Sequence, residues 1–371
     1  MRADRPVDLV RRRKSMTVAH DDPHVARLFD RMAQLVSEGV GDPRDVQEEL
    51  VELAIANSPD VARYWKQVGV GVGVPDTAYK DGGPHLFPDA PAVRVFRTSG
   101  TTGSGRGTVR YSALGLELKR LAIEAQARRH LRPDDGVRPV VLPFVPSEEA
   151  APEMAIAFDM GRVARSCGDP ELSTAVVGPN GVDFDLLARR LDTAVAEGLP
   201  VVLIGATFAF VNICDALEAQ GKSWRLPPGS RLFDGGGFKG RSRVMRVDEL
   251  RAAVRRVFGI ERHANIFGMT ELANQLFDSA DTPVGPLGER PKGSHPAGGP
   301  KVRDPHTREY LTEGTGLLEI TDLSLLDRPH VLLTGDLGIA VPEGVAIAGR
   351  VAGGASRGCS LTLDEMTGGA E

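Results

Sequence analysis

Val93-Arg-Val-Phe-Arg-Thr-Ser-Gly-Thr-Thr-Gly-Ser-Gly-Arg-Gly107 begins as a short apolar run and ends as a loop made almost wholly of glycine and hydroxyl residues. Val93 to Phe96 reads as a strand. Thr98 to Gly107 holds five hydroxyls and four glycines. Backbone N–H groups in such a loop can approach phosphate oxygens without interference from Cβ atoms, the Ser and Thr side chains add donors, and Arg106 adds charge. The stretch nearly fits a P-loop through Gly100, Gly105 and Arg106. It departs where that chemistry is strictest, with Arg106 in place of the lysine and Gly107 in place of the hydroxyl that holds Mg²⁺. A polar loop that binds nothing is the plainer alternative.

On the N-terminal side, Pro23 to Gly69 carries helical spacing in Val25, Leu28, Phe29 and Met32 and again in Val46, Leu50, Leu53 and Ala54. Gly69 to Pro91 is rich in Gly, Pro and Asp and reads as loop. On the C-terminal side, Leu116 to Leu131 reads as a helix with a basic exposed face. A short strand, Val140 to Leu142, is expected to stop at Pro143 and Pro146. Phe184 to Gly198 is helical, and Pro200-Val-Val-Leu-Ile204 is a continuous apolar run of the kind covered on both faces of a sheet. Helices around Ala209–Gln220 and Val247–Val257 bracket the strand Ser230–Asp234. The last third, with short apolar runs such as Gly316–Ile320 and His330–Leu333, reads as antiparallel β-structure. The expected class is therefore α/β with more than one sheet.

Composition narrows the function. The chain has 371 residues, 41% hydrophobic, with 45 Lys and Arg against 50 Asp and Glu and a formal net charge of -5. That balance argues against a nucleic-acid binder, the local run Arg11-Arg-Arg-Lys14 apart. No apolar stretch nears the roughly 20 residues that span a membrane, and no secretory segment opens the chain, so a cytoplasmic protein is expected. Cys167, Cys214 and Cys359 are too scattered for a disulfide framework or a paired-Cys metal site.

Three further stretches carry chemistry. Asn265-Ile-Phe-Gly-Met-Thr-Glu271 offers an aromatic ring to stack on a purine (Phe267), a glycine permitting close approach (Gly268), a hydroxyl donor (Thr270) and a carboxylate for Mg²⁺ (Glu271). Phe233-Asp-Gly-Gly-Gly-Phe-Lys-Gly240 contains the spacing Gly235, Gly237, Gly240 of a dinucleotide site. That pattern needs the last glycine to open a helix, whereas the next helix is expected only near Val247; a glycine strand edge lying against an adenine fits better. In Leu333-Thr-Gly-Asp-Leu-Gly338, Asp336 in a tight turn can hold both ribose hydroxyls or merely cap the turn. His263 is readable as a general base or as a structural histidine.

Taken in order, these stretches resemble the core motifs of the adenylate-forming superfamily of acyl-CoA synthetases. Within it the chain resembles the acyl-protein synthetase (LuxE-type) family, through Phe96-Arg-Thr-Ser-Gly-Thr-Thr-Gly103, Gly205-Ala-Thr-Phe-Ala-Phe210, Gly237-Phe-Lys-Gly-Arg-Ser242, Phe267-Gly-Met-Thr-Glu271 and Arg357-Gly-Cys-Ser-Leu361. The likeness runs from about Gly69 onward. It implies the α/β N-terminal core of an adenylating enzyme, mixed sheets plus a β-rich subdomain, over residues 23–336. A flexible arm over 1–22 and a short, truncated C-terminal segment over 337–371 flank it.

The resemblance further implies ATP and Mg²⁺, with Thr98, Ser99, Gly100, Thr101, Thr102, Gly103 and Arg106 on the phosphates. Gly235, Gly236 and Gly237 would lie along the adenine, with Phe267 stacked on it and Gly268 beside it. Thr270 would contact the α-phosphate, Glu271 the metal and Asp336 the ribose. The acyl group of a fatty or aryl acid would pass to Cys359, then to a partner reductase; CoA or a carrier-protein thiol is the alternative acceptor. Two departures stand out. Arg106 replaces the usual lysine, and no C-terminal domain with a catalytic lysine is expected after Arg350, which makes Lys239 and Arg350 the candidate cations. A nonenzymatic nucleotide-binding subunit and an NAD-dependent dehydrogenase are the rival classes.

Overall fold

Three helices near the N-terminus share one construction: a capping side chain followed by proline in the first turn. Asp22 precedes α1 (Pro23–Glu38), Asp42 precedes α2 (Pro43–Asn57) and Ser58 precedes α3 (Pro59–Val68). Each cap accepts from an otherwise orphaned backbone N–H, and proline has no N–H to orphan. Asp22 takes His24 N at 2.7 Å, and Asp42 takes Arg44 N at 2.8 Å. The computed structural model describes residues 17–98, 107–131, 136–236, 242–278 and 290–350.

Among the described residues, the chain continues through β1 (Val74–Pro75), a 3-10 turn (Asp76–Asp81), β2 (Arg94–Arg97), β3 (Thr108–Tyr111), α4 (Ala113–Leu131) and β4 (Val140–Phe144). Next come α5 (Ala155–Cys167), the small hairpin β5 (Val177–Gly178) and β6 (Gly181–Val182), α6 (Phe184–Glu197), β7 (Val201–Ala206) and α7 (Thr207–Ala219). After these follow β8 (Arg231–Gly235), α8 (Val247–Phe258), β9 (Arg262–Phe267) and β10 (Leu276–Phe277). From Gly298 onward the described elements are strands: β11 (Gly298–Arg303), β12 (Tyr310–Leu311), β13 (Gly314–Asp322), β14 (Val331–Val341) and β15 (Gly344–Arg350). The protein is thus a mixed α/β fold with several sheets.

The chain divides into two compact units. The first takes Met1–Ala122, Thr270–Asn274 and Pro291–Glu371, and the second Ile123–Met269 with Gln275–Arg290. The first unit holds a sheet ordered β1-β14-β13-β11-β12, with β15 on the free side of part of β14. Apart from β1, which runs parallel to β14, its pairings are antiparallel. Inside it Glu319 is buried and meets Arg303 through two parallel bonds of 2.6 and 2.7 Å, the fork geometry that makes a buried ion pair tolerable. Residues 337–350 complete β14 and form β15 of this same sheet.

The second unit is built on a sheet ordered β10-β9-β8-β7-β4, parallel from β4 through β9. β7 is buried along its length, as the run Pro200–Ile204 predicts. Leu187, Leu191, Phe210, Leu250 and Val254 from α6, α7 and α8 close over Leu203 and Leu232.

Three expectations are corrected. β4 runs through Pro143 instead of stopping there. It is an edge strand, and residue 143 turns its polar edge away from β7, where its carbonyl accepts Val176 N at 3.0 Å; no ladder donor is lost. The stretch Gly69–Pro91 is more than loop, since it contains β1 and the 3-10 turn. The basic face of α4 is not wholly exposed, because Lys119 is completely buried.

The core of the second unit predicts the cost of a hole in it. Leu203→Ala, at a site with 0% exposure, should lower stability by about 2–5 kcal/mol in urea unfolding; a loss under about 1 kcal/mol would contradict this packing.

Candidate functional site

In the second unit, the expected adenine-facing residues stand at the carboxyl ends of neighbouring parallel strands. Gly235 ends β8 and is in register with Ile266 of β9; Phe267 ends β9. A Cβ at position 235 would fall 2.5 Å from the carbonyl oxygen of Ile266, so only glycine permits this strand approach. Gly236 follows with φ 75°, a conformation glycine adopts without strain. Phe267 is half-buried and Gly268 exposed. The next helix, α8, starts at Val247, as the reading against a dinucleotide fold requires. Gly237 and Lys239 lie outside the described residues.

Beneath these strand ends lies a polar cluster that the sequence reading missed, apart from His263. Asp234 is buried, and its carboxylate receives the Thr207 hydroxyl at 2.5 Å, His263 Nε2 at 3.1 Å and Asn265 Nδ2 at 3.3 Å. Asn265 also donates to the Asp234 carbonyl at 3.0 Å. Burial by itself pushes the Asp234 carboxyl up, but the His263 bond and charge, with the Thr207 and Asn265 donors, outweigh it and hold the group below its ordinary value of 3.8. An ionised carboxylate only accepts, so the facing ring nitrogen of His263 carries its proton. That fixes His263 as a bound partner of Asp234. The available signal was a carboxylate ending an apolar strand, with a threonine opening the helix after the neighbouring one.

In the first unit the other expected residues gather around the 3-10 turn. Thr98 N donates to the Gly107 carbonyl at 2.9 Å and closes the base of the loop between β2 and β3. A Cβ on Gly107 would meet the Tyr79 carbonyl at 2.8 Å, so the loop base is seated directly on that turn. Ser99, Gly100, Thr101, Thr102, Gly103 and Arg106 lie outside the described residues. Glu271 is buried, with 8% exposure, and its charge helps raise the pKa of the Tyr79 hydroxyl, which burial raises most and Arg328 opposes. On the far side of the turn, Asp76 accepts from Gly335 N at 3.4 Å.

Asp336 is not in a tight turn. Thr334 to Asp336 belong to β14, at the irregularity where its register with β13 shifts between the pairs Glu319–Leu333 and Leu317–Leu337. Asp336 is buried and in register with Arg350 of β15. Its backbone N–H donates to the Thr334 hydroxyl at 3.2 Å, which itself donates to the Leu318 carbonyl at 3.0 Å. Cys359 lies outside the described residues. Cys167 and Cys214 are buried, and burial pushes the Cys214 thiol up to about 12, as befits structural side chains.

No family model matches this chain, and no curated protein does. Among solved structures, it matches McyG A-PCP complexed with phenylalanyl-adenylate at 19% identity, over 71% of this chain and 47% of that one, with a TM-score of 0.49. It also matches a long-chain-fatty-acid-CoA ligase (FadD1) from Archaeoglobus fulgidus at 15% identity, over 71% and 52%, with a TM-score of 0.48. The amide bond synthetase McbA from Marinactinospora thermotolerans matches at 17% identity, over 82% and 62%, with a TM-score of 0.48. The chain spans less than two thirds of each of these structures.

The donor set limits what could bind. Among the described residues no three His, Cys, Asp or Glu side chains converge to hold a metal. A Mg²⁺ shared with phosphate oxygens and water needs only one or two carboxylates, and Glu271 suits that role. No helix of the described residues is long and apolar enough to cross a membrane.

The Asp234 cluster gives a signed pH prediction. A carboxyl held below its unfolded value contributes stability above that value and loses it as pH falls through the folded pKa. Asp234→Asn should therefore cost about 1–3 kcal/mol at neutral pH. It should also flatten the fall in thermal stability below about pH 4. Parallel acid limbs in variant and wild type would contradict the assignment.

Proposed function

We propose that the chain activates a carboxylic acid with ATP. The acid's oxygen attacks the α-phosphorus, pyrophosphate leaves, and an acyl-adenylate forms. The Cys359 thiolate then attacks the acyl carbon, AMP leaves, and a thioester remains for delivery to a partner reductase. One observation supports this reading above the others: Gly235, Gly236 and Phe267 close two adjacent parallel strands at their carboxyl ends, where open α/β sheets bind nucleotides. Thr270 and Glu271 follow a few residues along the chain, in the order the motif requires.

The residues divide the work by chemistry. Gly235 and Gly236 present bare backbone and Phe267 a half-buried ring, which suits a purine. Thr270 donates to the α-phosphate and Glu271 holds Mg²⁺. Bound there, Mg²⁺ would supply positive charge to offset the charge that develops on pyrophosphate. The loop from Thr98 through Arg106 orients the phosphates, and Asp336 takes the ribose. Lys239 and Arg350 are the cations proposed to offset the leaving charge, and Arg350 and Arg357 would favour the thiolate at Cys359.

Intact-protein mass after incubation with ATP, Mg²⁺ and a panel of fatty and aryl acids tests this. The expected result is an acyl-sized gain that hydroxylamine removes and Cys359→Ala lacks. Pyrophosphate release without a mass gain would move the acceptor to CoA or a carrier-protein thiol. Release without any added acid would overturn carboxylate activation.

A further inference from the structure

The segment Thr270–Asn274 belongs with the first unit, although the residues on either side of it belong to the second. Its grip is unusual in kind. The Leu272 carbonyl accepts from Lys119 Nζ at 3.3 Å and from the Tyr111 hydroxyl at 3.3 Å. The next two backbone groups, Ala273 N and Asn274 N, both donate to one oxygen of Asp322 at 2.9 Å. The other oxygen of Asp322 is held by Ser324 N at 3.0 Å and by the Ser324 hydroxyl at 2.7 Å. The Asn274 side chain meets His295 Nε2 at 2.9 Å.

Lys119 is 0% exposed and Asp322 1% exposed. Burying an ammonium and a carboxylate is costly, and a neutral side chain could satisfy a lone carbonyl or a pair of N–H groups at less expense. The ammonium also lies 5.9 Å from the ring centre of Phe96 and 6.0 Å from that of Tyr111, so the cation is held by aromatic faces as well as by the carbonyl. Phe96 stands just before the Thr98 loop base, on β2. One buried cation therefore ties the strand that leads into the glycine loop to the peptide that follows Glu271.

We infer that Lys119, Tyr111 and Asp322 are positioning residues, which fix the backbone on the C-terminal side of Glu271 and so set its carboxylate and the Thr270 hydroxyl for a magnesium nucleotide. This rests on the nucleotide reading of Thr270 and Glu271. Charged donors and acceptors make stronger bonds than neutral ones, and a carboxylate that binds metal must be placed to within a fraction of an ångström. Lys119 carries no step of the chemistry.

The test uses the full chain with Lys119→Met and Asp322→Asn, and Leu203→Ala as a control destabilised in the other unit. Amide exchange over residues 272–274 should quicken about tenfold or more in the first two variants and stay unchanged in the control. In equilibrium ATP binding, the Mg²⁺ concentration for half-saturation should rise about 10–100-fold in Lys119→Met and Asp322→Asn and stay at the wild-type value in Leu203→Ala. Unchanged exchange over 272–274, or an unchanged Mg²⁺ midpoint in a folded Lys119→Met, overturns the inference. So does an equal shift in the control, or a wild-type protein whose ATP binding ignores Mg²⁺. A wild type that binds magnesium nucleotide through this segment but never activates an acid overturns the proposed reaction alone.

Discussion

A carboxylate taken out of water needs a hydrogen-bond donor for each lone pair it exposes, and Asp234 finds its three side-chain donors on two neighbouring elements. Thr207 comes from the start of α7, His263 and Asn265 from β9, while Asp234 itself is the last residue but one of β8. The carboxylate is thereby a tie across the carboxyl edge of the parallel sheet. It fixes the last residues of β8 and β9 relative to one another, and Gly235, Gly236 and Phe267 stand on those residues. The close approach of Gly235 to the Ile266 carbonyl depends on that tie, since a looser pair of strands would accept a side chain there. Breaking one partner of such a buried set exposes the cost of the remaining groups, which is why the cluster tolerates little change.

The first unit solves a similar problem with different groups. Its large sheet buries the Arg303–Glu319 pair, and the base of the β2–β3 loop meets the 3-10 turn so closely that a side chain at position 107 has no room. The expected phosphate loop departs from this turn, and Glu271 lies within electrostatic reach of Tyr79 on it. The stretch that carries Asp336 is bonded to its other end through Asp76. The base of the expected phosphate loop and the stretch that carries Asp336, distant in sequence, therefore share one support.

Much of this was readable in advance because the signals were local. The apolar run at Pro200–Ile204, the helical spacing between Pro23 and Gly69 and the helices around Ala209–Gln220 and Val247–Val257 each follow from short-range chemistry. The class, α/β with a β-rich last third, followed from the same patterns. What escaped the sequence depended on strand order. Pro143 is harmless only because β4 lies at an edge, and Asp336 sits in a strand where β15 pairs with it at Arg350 and β13 resumes pairing at Leu337. Lys119 looked like part of a solvated helix face because helical periodicity cannot register a carbonyl brought to it from Leu272. Asp234 and Thr207 carried no motif that separates a buried tie from an ordinary strand end.

The proposed chemistry needs a bound magnesium nucleotide and an acid to attack it. Exchange of labelled pyrophosphate into ATP measures that first step directly, without any assumption about the acceptor thiol. The account predicts exchange that requires both Mg²⁺ and a carboxylic acid, and that survives in Cys359→Ala because the thiol acts only afterwards. Tight ATP binding with no exchange under any acid, or exchange that proceeds equally without one, would contradict it.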